Sequence, residues 1–112
     1  AAIPIGDYGP RWFMKDIHCN PAESLKIHAD IRSKKSVGVH WGTFAQSDED
    51  PLEPALELAR ARHLVNIRPE EFSTTAQGET LSLTQHSQHD LGETRSDLYK
   101  IYLDSLRQRL PN

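Results

Sequence analysis

Four residues, Asn20-Pro21-Ala22-Glu23, constrain this chain more than any other stretch of similar length. Asn20 offers a side-chain oxygen to the free N–H groups at a helix start. Pro21 suits the first helical position, and Glu23 can bond back to the Asn20 backbone and close a capping box. The spacing predicts a helix from residue 21 to about Arg32. Its apolar residues fall on two sides, with Ala22, Leu25 and Ala29 on one and Ile27 and Ile31 nearly opposite. A helix on a free surface needs only one apolar stripe, so this one calls for a second neighbour.

Short apolar runs flank that helix. "AIPI", residues 2–5, reads as a strand ending at Gly6, with Pro4 suited to an edge or a strand end. Residues 6–20 read as a long irregular loop, a feature that usually has a function in a compact domain. Ser36–His40 reads as the next strand. "SDEDPLEP" leads into a second helix, Glu53 to about Leu64, with acids at its positive end. "RPEEF" makes a turn or a short helical step, and "FSTTAQGETLSL" gives two short strands about Gly78, or one strand and a bend. From residue 84 the composition turns polar. Leu98, Tyr102, Leu106 and Leu110 then predict an amphipathic helix over Ser96–Leu110. The order strand–helix–strand–helix–strand predicts an α/β fold with helices on a sheet. The expected organisation is a folded part over 1–83, then a connector and helical tail over 84–112.

With 112 residues and 37% apolar content, the chain can make at most one small domain with a lean core. The net charge of −3, and no basic cluster beyond Lys34-Lys35, argue against a nucleic-acid partner. A single cysteine, Cys19, excludes an internal disulfide framework and fits a reducing intracellular setting. No apolar run approaches the ~20 residues of a membrane span. The chain opens "AAIPIG" and its one methionine is Met14, so it reads as a C-terminal piece of something longer.

"KKSVGVHWGTF" delivers an imidazole, His40, to the end of a strand, and Gly42 permits a sharp bend beside it. A strand end holds a side chain rigidly, as a zinc ligand requires. The alternative is a strand-terminal histidine bonded to a backbone carbonyl. His18 lies in the aromatic loop, where it is either an acid/base or anion-binding group or simply a solvated residue before the helix cap. Cys19, beside the helix start, has no nucleophile–base pattern around it and reads as an inert thiol. His86, His89 and Asp90 in "QHSQHD" look like a metal cluster, but the spacing matches no zinc motif. Trp12, Phe13, Trp41 and Phe44 are candidates for the core. Arg11-Trp12-Phe13-Met14-Lys15 interleaves cations with large apolar groups, which equally suits a membrane interface.

The segments "PIG-x-Y-x-PRWFMK", "H-x-NP-x-E" and "HWGTF" together resemble the N-acylphosphatidylethanolamine-hydrolysing phospholipase D family of the metallo-β-lactamase superfamily. The resemblance is strong from Ala2 to about Leu56, fades through residue 83 and is absent from 84–112. It implies the C-terminal part of an αββα sandwich and a dinuclear zinc enzyme that releases N-acylethanolamine and phosphatidic acid. By the same resemblance, His40 would ligate one zinc and His18 would contact the phospholipid. Ala45 would line an amphiphile (bile-acid) site. From their own chemistry, Arg11, Trp12, Phe13 and Lys15 would help to seat such an enzyme on a bilayer. A homodimer and a peripheral place on intracellular membranes, or in the cytoplasm, are also implied. Two departures stand out. Ile17 replaces a glutamine common before the loop histidine, and the H-x-H-x-D-H motif that carries most zinc ligands and the catalytic aspartate is absent. One zinc ligand is therefore expected here, and the chain alone is expected to be inactive. The rival expectation is a non-catalytic remnant that docks on a partner through the Ser96–Leu110 helix.

Overall fold

The structure, a computed structural model, describes residues 1–83. Three strands form one sheet in the order β1-β2-β3: β1 is Ala2–Pro4, β2 is Ser36–Val39 and β3 is Phe72–Thr74. Both pairings are parallel. Ile3 lies opposite Gly38 and Pro4 opposite Val39, while Ser36 pairs with Phe72 and Gly38 with Thr74. Parallel neighbours need crossover connections, and helices supply them: α2 (Pro21–Asp30) between β1 and β2, and α3 (Glu53–Val65) between β2 and β3. The expected α/β order is therefore present. Strand β3 is single, with a turn near Gly78 rather than a second strand.

The capping box forms as its residues predict, with Glu23 N donating to Asn20 Oδ1 at 2.9 Å and Asn20 N donating to Glu23 Oε2 at 3.0 Å. The buried face of α2 is Pro21, Ser24, Leu25 and His28, one stripe at i, i+3, i+4 and i+7. Its two polar members tie the helix to the sheet. Ser24 Oγ donates to the Pro4 carbonyl, and His28 Nδ1 lies 2.8 Å from Ser36 Oγ. The second neighbour expected for α2 is α3, which packs along it. Ile27 reaches the core, whereas Ile31 stays exposed.

The core joins Ile3, Ile5, Leu25, Leu58 and Phe72, with Ile27, Trp41, Ala61 and Ile67 packed around it. Each fully buried apolar side chain of this kind contributes about 1.5–3 kcal/mol. Arg62 is also buried, and its Nη1 donates to the Phe72 carbonyl at 2.7 Å, fixing α3 to β3. Helix α3 ends at Asn66, whose left-handed φ of 57° makes the C-cap.

Two expectations need correction. The 6–20 segment is not wholly irregular, because Arg11–Met14 forms a short helix, α1. Trp12, Phe13 and Phe44 are exposed rather than core, and of the four aromatics only Trp41 packs against the core. Compact units span Ala1–Gln77 and Gly78–Asn112. The boundary expected at 83/84, the Ser96–Leu110 helix and the His86, His89, Asp90 cluster fall at the edge of the described residues or outside them. Among the described residues, no helix is long and apolar enough to cross a membrane.

Candidate metal centre

Parallel pairing carries the ends of β1 and β2 to the same edge of the sheet. The Ile5 N–H donates to the Val39 carbonyl at 3.0 Å, so the residues after each strand emerge side by side. Gly6 makes this possible. A Cβ there would stand 2.1 Å from the His40 carbonyl oxygen, far inside any allowed contact. Just beyond, Asp7 and His40 both take left-handed backbone conformations, each with φ of 59°. That region costs a non-glycine residue roughly 1–2 kcal/mol, and such strain gathers at functional sites.

The side chains that these backbones aim meet each other. His40 Nε2 lies 3.0 Å from Asp7 Oδ2, and the other carboxylate oxygen of Asp7 accepts from Ser47 Oγ at 3.0 Å. The His18 ring stacks on that of His40 with centroids 5.3 Å apart and planes 10° from parallel. Asp7, His18 and His40 each present a ligand atom within 4.8 Å of the others. Two imidazoles and a carboxylate are the donors zinc takes, and zinc takes about four. The donor set thus fits a divalent metal and leaves room for ligands from elsewhere. The sequence reading singled out His40 and His18 here and did not single out Asp7.

The surroundings hold this cluster in place. Arg11 Nη1 donates to the His18 carbonyl at 3.0 Å, and its Nη2 reaches Glu23 at 2.7 Å. Arg11 is therefore engaged within the fold, while Trp12, Phe13 and Lys15 project outward. Glu49 accepts the backbone N–H groups of Tyr8 at 3.0 Å and Gly9 at 2.9 Å, which fixes the loop behind Asp7. Burial pushes the Glu49 carboxyl up, but the hydrogen bonds from its own backbone N–H and from those of Gly9 and Tyr8 outweigh it and hold it below the usual range. Tyr8 Oη donates to Glu53 Oε1 at 2.8 Å. Burial, then Glu53, raises this phenol well above its ordinary range. A cavity of about 250 Å³ opens beside the cluster, with Asp7, His40, Trp41, Phe44, Ser47 and Glu49 on its wall. Ala45 is exposed and lies outside that wall. Cys19 is a half-buried free thiol.

No family model matches the chain. Individual proteins do. Over 83 residues it is 41% identical to N-acyl-phosphatidylethanolamine-hydrolyzing phospholipase D 1 of Caenorhabditis elegans, covering 70% of this chain and 23% of the relative. A mitochondrial N-acyl-phosphatidylethanolamine-hydrolyzing phospholipase D of Saccharomyces cerevisiae is 48% identical over 58 residues, 52% of this chain and 12% of that one. An uncharacterised protein of Mycobacterium tuberculosis is 38% identical over 73 residues, 60% of this chain and 19% of that one. The named relatives are phospholipases. The chain spans less than a quarter of their length, so the similarity supports that family over part of the chain.

Proposed function

We propose that this chain forms part of a zinc-dependent phospholipase D that cleaves N-acylphosphatidylethanolamine to N-acylethanolamine and phosphatidic acid. One observation carries the reading. This chain, similar over part of its length to two named phospholipases, holds His40 at a strand tip, where its ring nitrogen converges with donors from Asp7 and His18. The sandwich to which a three-stranded parallel sheet and its helices would contribute is the metallo-β-lactamase αββα fold.

In this reading His40 holds one of two zinc ions, and further ligands come from outside the 112 residues. Bound zinc supplies Lewis acidity and a water-derived nucleophile at neutral pH. His18 contacts a phosphoryl oxygen of the lipid, and Arg11 fixes its backbone so that the ring faces the same point as His40. The exposed pair Trp12 and Phe13, with Lys15 nearby, seats the protein on an intracellular membrane, where rings and cations suit the headgroup layer. Ala45 would border a site for amphiphiles, and a homodimer is the expected assembly.

The test uses a longer protein carrying these residues, with zinc content and lipid hydrolysis both measured. His40→Ala should lower bound zinc and abolish hydrolysis, and His18→Ala should impair turnover while zinc stays near normal. Wild-type zinc content and hydrolysis in His40→Ala would overturn the reading and favour a non-catalytic partner-binding remnant.

A further inference from the structure

We propose that Asp7 is a metal-coordinating carboxylate that shares the ion held by His40. The inference rests on the reading of His40 as a ligand and adds a residue to it. Three features of the cluster support coordination over a plain ion pair. First, Asp7 Oδ2 and His40 Nε2 stand 3.0 Å apart. With metal–ligand bonds of about 2.1 Å, two donors at that separation subtend about 90° at a common ion, so a small opening of the pair reaches the wider angle of a tetrahedral site. Second, the carboxylate is preset. Ser47 Oγ holds Oδ1 while Oδ2 faces the imidazole, and only 16% of the side chain is exposed. Third, the ligand atom of His18 closes the same cluster. A carboxylate that merely orients a ligating histidine bonds the ring nitrogen away from the metal. Here Asp7 Oδ2 stands at His40 Nε2, the His18 ring stacks on the His40 ring, and one donor atom of each of the three residues lies within 4.8 Å of the others.

The backbone adds to this. Asp7 takes a strained left-handed φ of 59°, matched by the same value at His40, and Gly6 lets the two strand ends touch. The fold thus places one carboxylate against one imidazole at a fixed separation, with a cavity on the open side.

The experiment is Co(II) substitution of the protein carrying these residues, in wild-type, Asp7→Asn, Asp7→Ala and His40→Ala forms. Apparent affinity is read by chelator competition, the ligand field by visible absorption, and folding by circular dichroism. Both Asp7 variants should bind Co(II) more than about tenfold more weakly and change the shape of the visible bands. If Asp7→Ala unfolds, Asp7→Asn decides, because it is nearly isosteric and keeps an oxygen for Ser47. Bands unchanged in shape in a folded Asp7 variant, whatever the affinity, would make Asp7 an orienting group and overturn the inference. A wild-type protein that takes up no Co(II) would overturn it too. Full metal content in His40→Ala would sink the functional reading and with it the shared ion, whereas metal loss in His40→Ala with unchanged bands in the Asp7 variants would overturn the Asp7 inference alone.

Discussion

Replacing Gly6 with alanine is the sharpest probe of how the two strand ends are held. The new Cβ would lie 2.1 Å from the His40 carbonyl oxygen, and 3.2 Å from both the His40 carbonyl carbon and the Trp41 Cα. All three are backbone atoms, so no side chain can swing aside. Reaching an ordinary contact requires the strand ends to part by more than about 1 Å, and the 3.0 Å bond from Ile5 N to the Val39 carbonyl breaks with them. Overpacking costs about 1–3 kcal/mol and the lost hydrogen bond about 1 kcal/mol. A loss of about 2–4 kcal/mol is a large share of the stability of a domain this size, and should lower Tm by roughly 10–25 °C. Gly38→Ala is the internal control. Its Cβ would meet Ile5 Cδ1 at 2.8 Å and Thr74 Cγ2 at 3.3 Å, side-chain rather than backbone atoms and a less severe approach than 2.1 Å, so the cost should be smaller. Urea denaturation followed by circular dichroism measures both. A Gly6→Ala protein within about 0.5 kcal/mol of wild type, or one more stable than Gly38→Ala, would refute the argument that close backbone approach sets this edge.

Further outcomes follow from the loop behind Asp7 and from the exposed aromatics. Tyr8→Phe should cost about 1–2 kcal/mol by removing the donor to Glu53. Because the folded-state pKa of Tyr8 is raised, its contribution is complete below the unfolded value of about 10 and is lost as pH rises through the folded value. An ultraviolet absorbance titration should therefore find one of the three tyrosines silent in the ordinary phenol range, and three ordinary titrations would contradict this. The folded-state pKa of Glu49 is depressed, so its contribution is present above the unfolded value of about 4.3 and is lost as pH falls through the lower, folded one. Glu49→Gln should flatten the acid limb of a stability–pH curve, and an unchanged limb would show that the carboxylate does not hold the loop. The double variant Trp12→Ser, Phe13→Ser should bind phospholipid vesicles at least about tenfold more weakly, since each ring buried in lipid contributes roughly 1.5–3 kcal/mol. Equal vesicle binding would remove the membrane role from this pair.

Local chemistry made much of the fold legible. Asn20, Pro21 and Glu23 announced α2 because a capping box is settled within four residues. The alternation of apolar runs with helical stretches announced helices on a sheet. Long-range facts were less accessible. Ser24 and His28 are polar residues that no motif marks, yet both are buried, because each finds its partner on a strand, Pro4 or Ser36, that sequence spacing cannot supply. Trp12, Phe13 and Phe44 carried the opposite error. Large rings suggest a core, but α1 is a single turn with no buried residue, so its aromatics face outward.

The candidate site divides along the same line. His40 could be picked out from its place at a strand end, and His18 from its loop. Asp7 could not, because an aspartate after a glycine is ordinary turn chemistry. Its meaning comes only from register. Once Pro4 pairs with Val39, the segments after the two strands advance together, and Gly6 comes against the His40 carbonyl and the Trp41 Cα, which leaves Asp7 beside His40. Parallel pairing was thus the missing datum, and a short hydrophobic run does not reveal it. The two left-handed residues fit the same logic. Asp7 and His40 break local preference at one point, where their side chains face each other, and the Gly6 contact, the Ser47 bond and the Glu49 clamp hold them there. Left-handed backbone also occurs at Arg32 and at the α3 cap Asn66, so what sets Asp7 and His40 apart is that their side chains face each other at 3.0 Å.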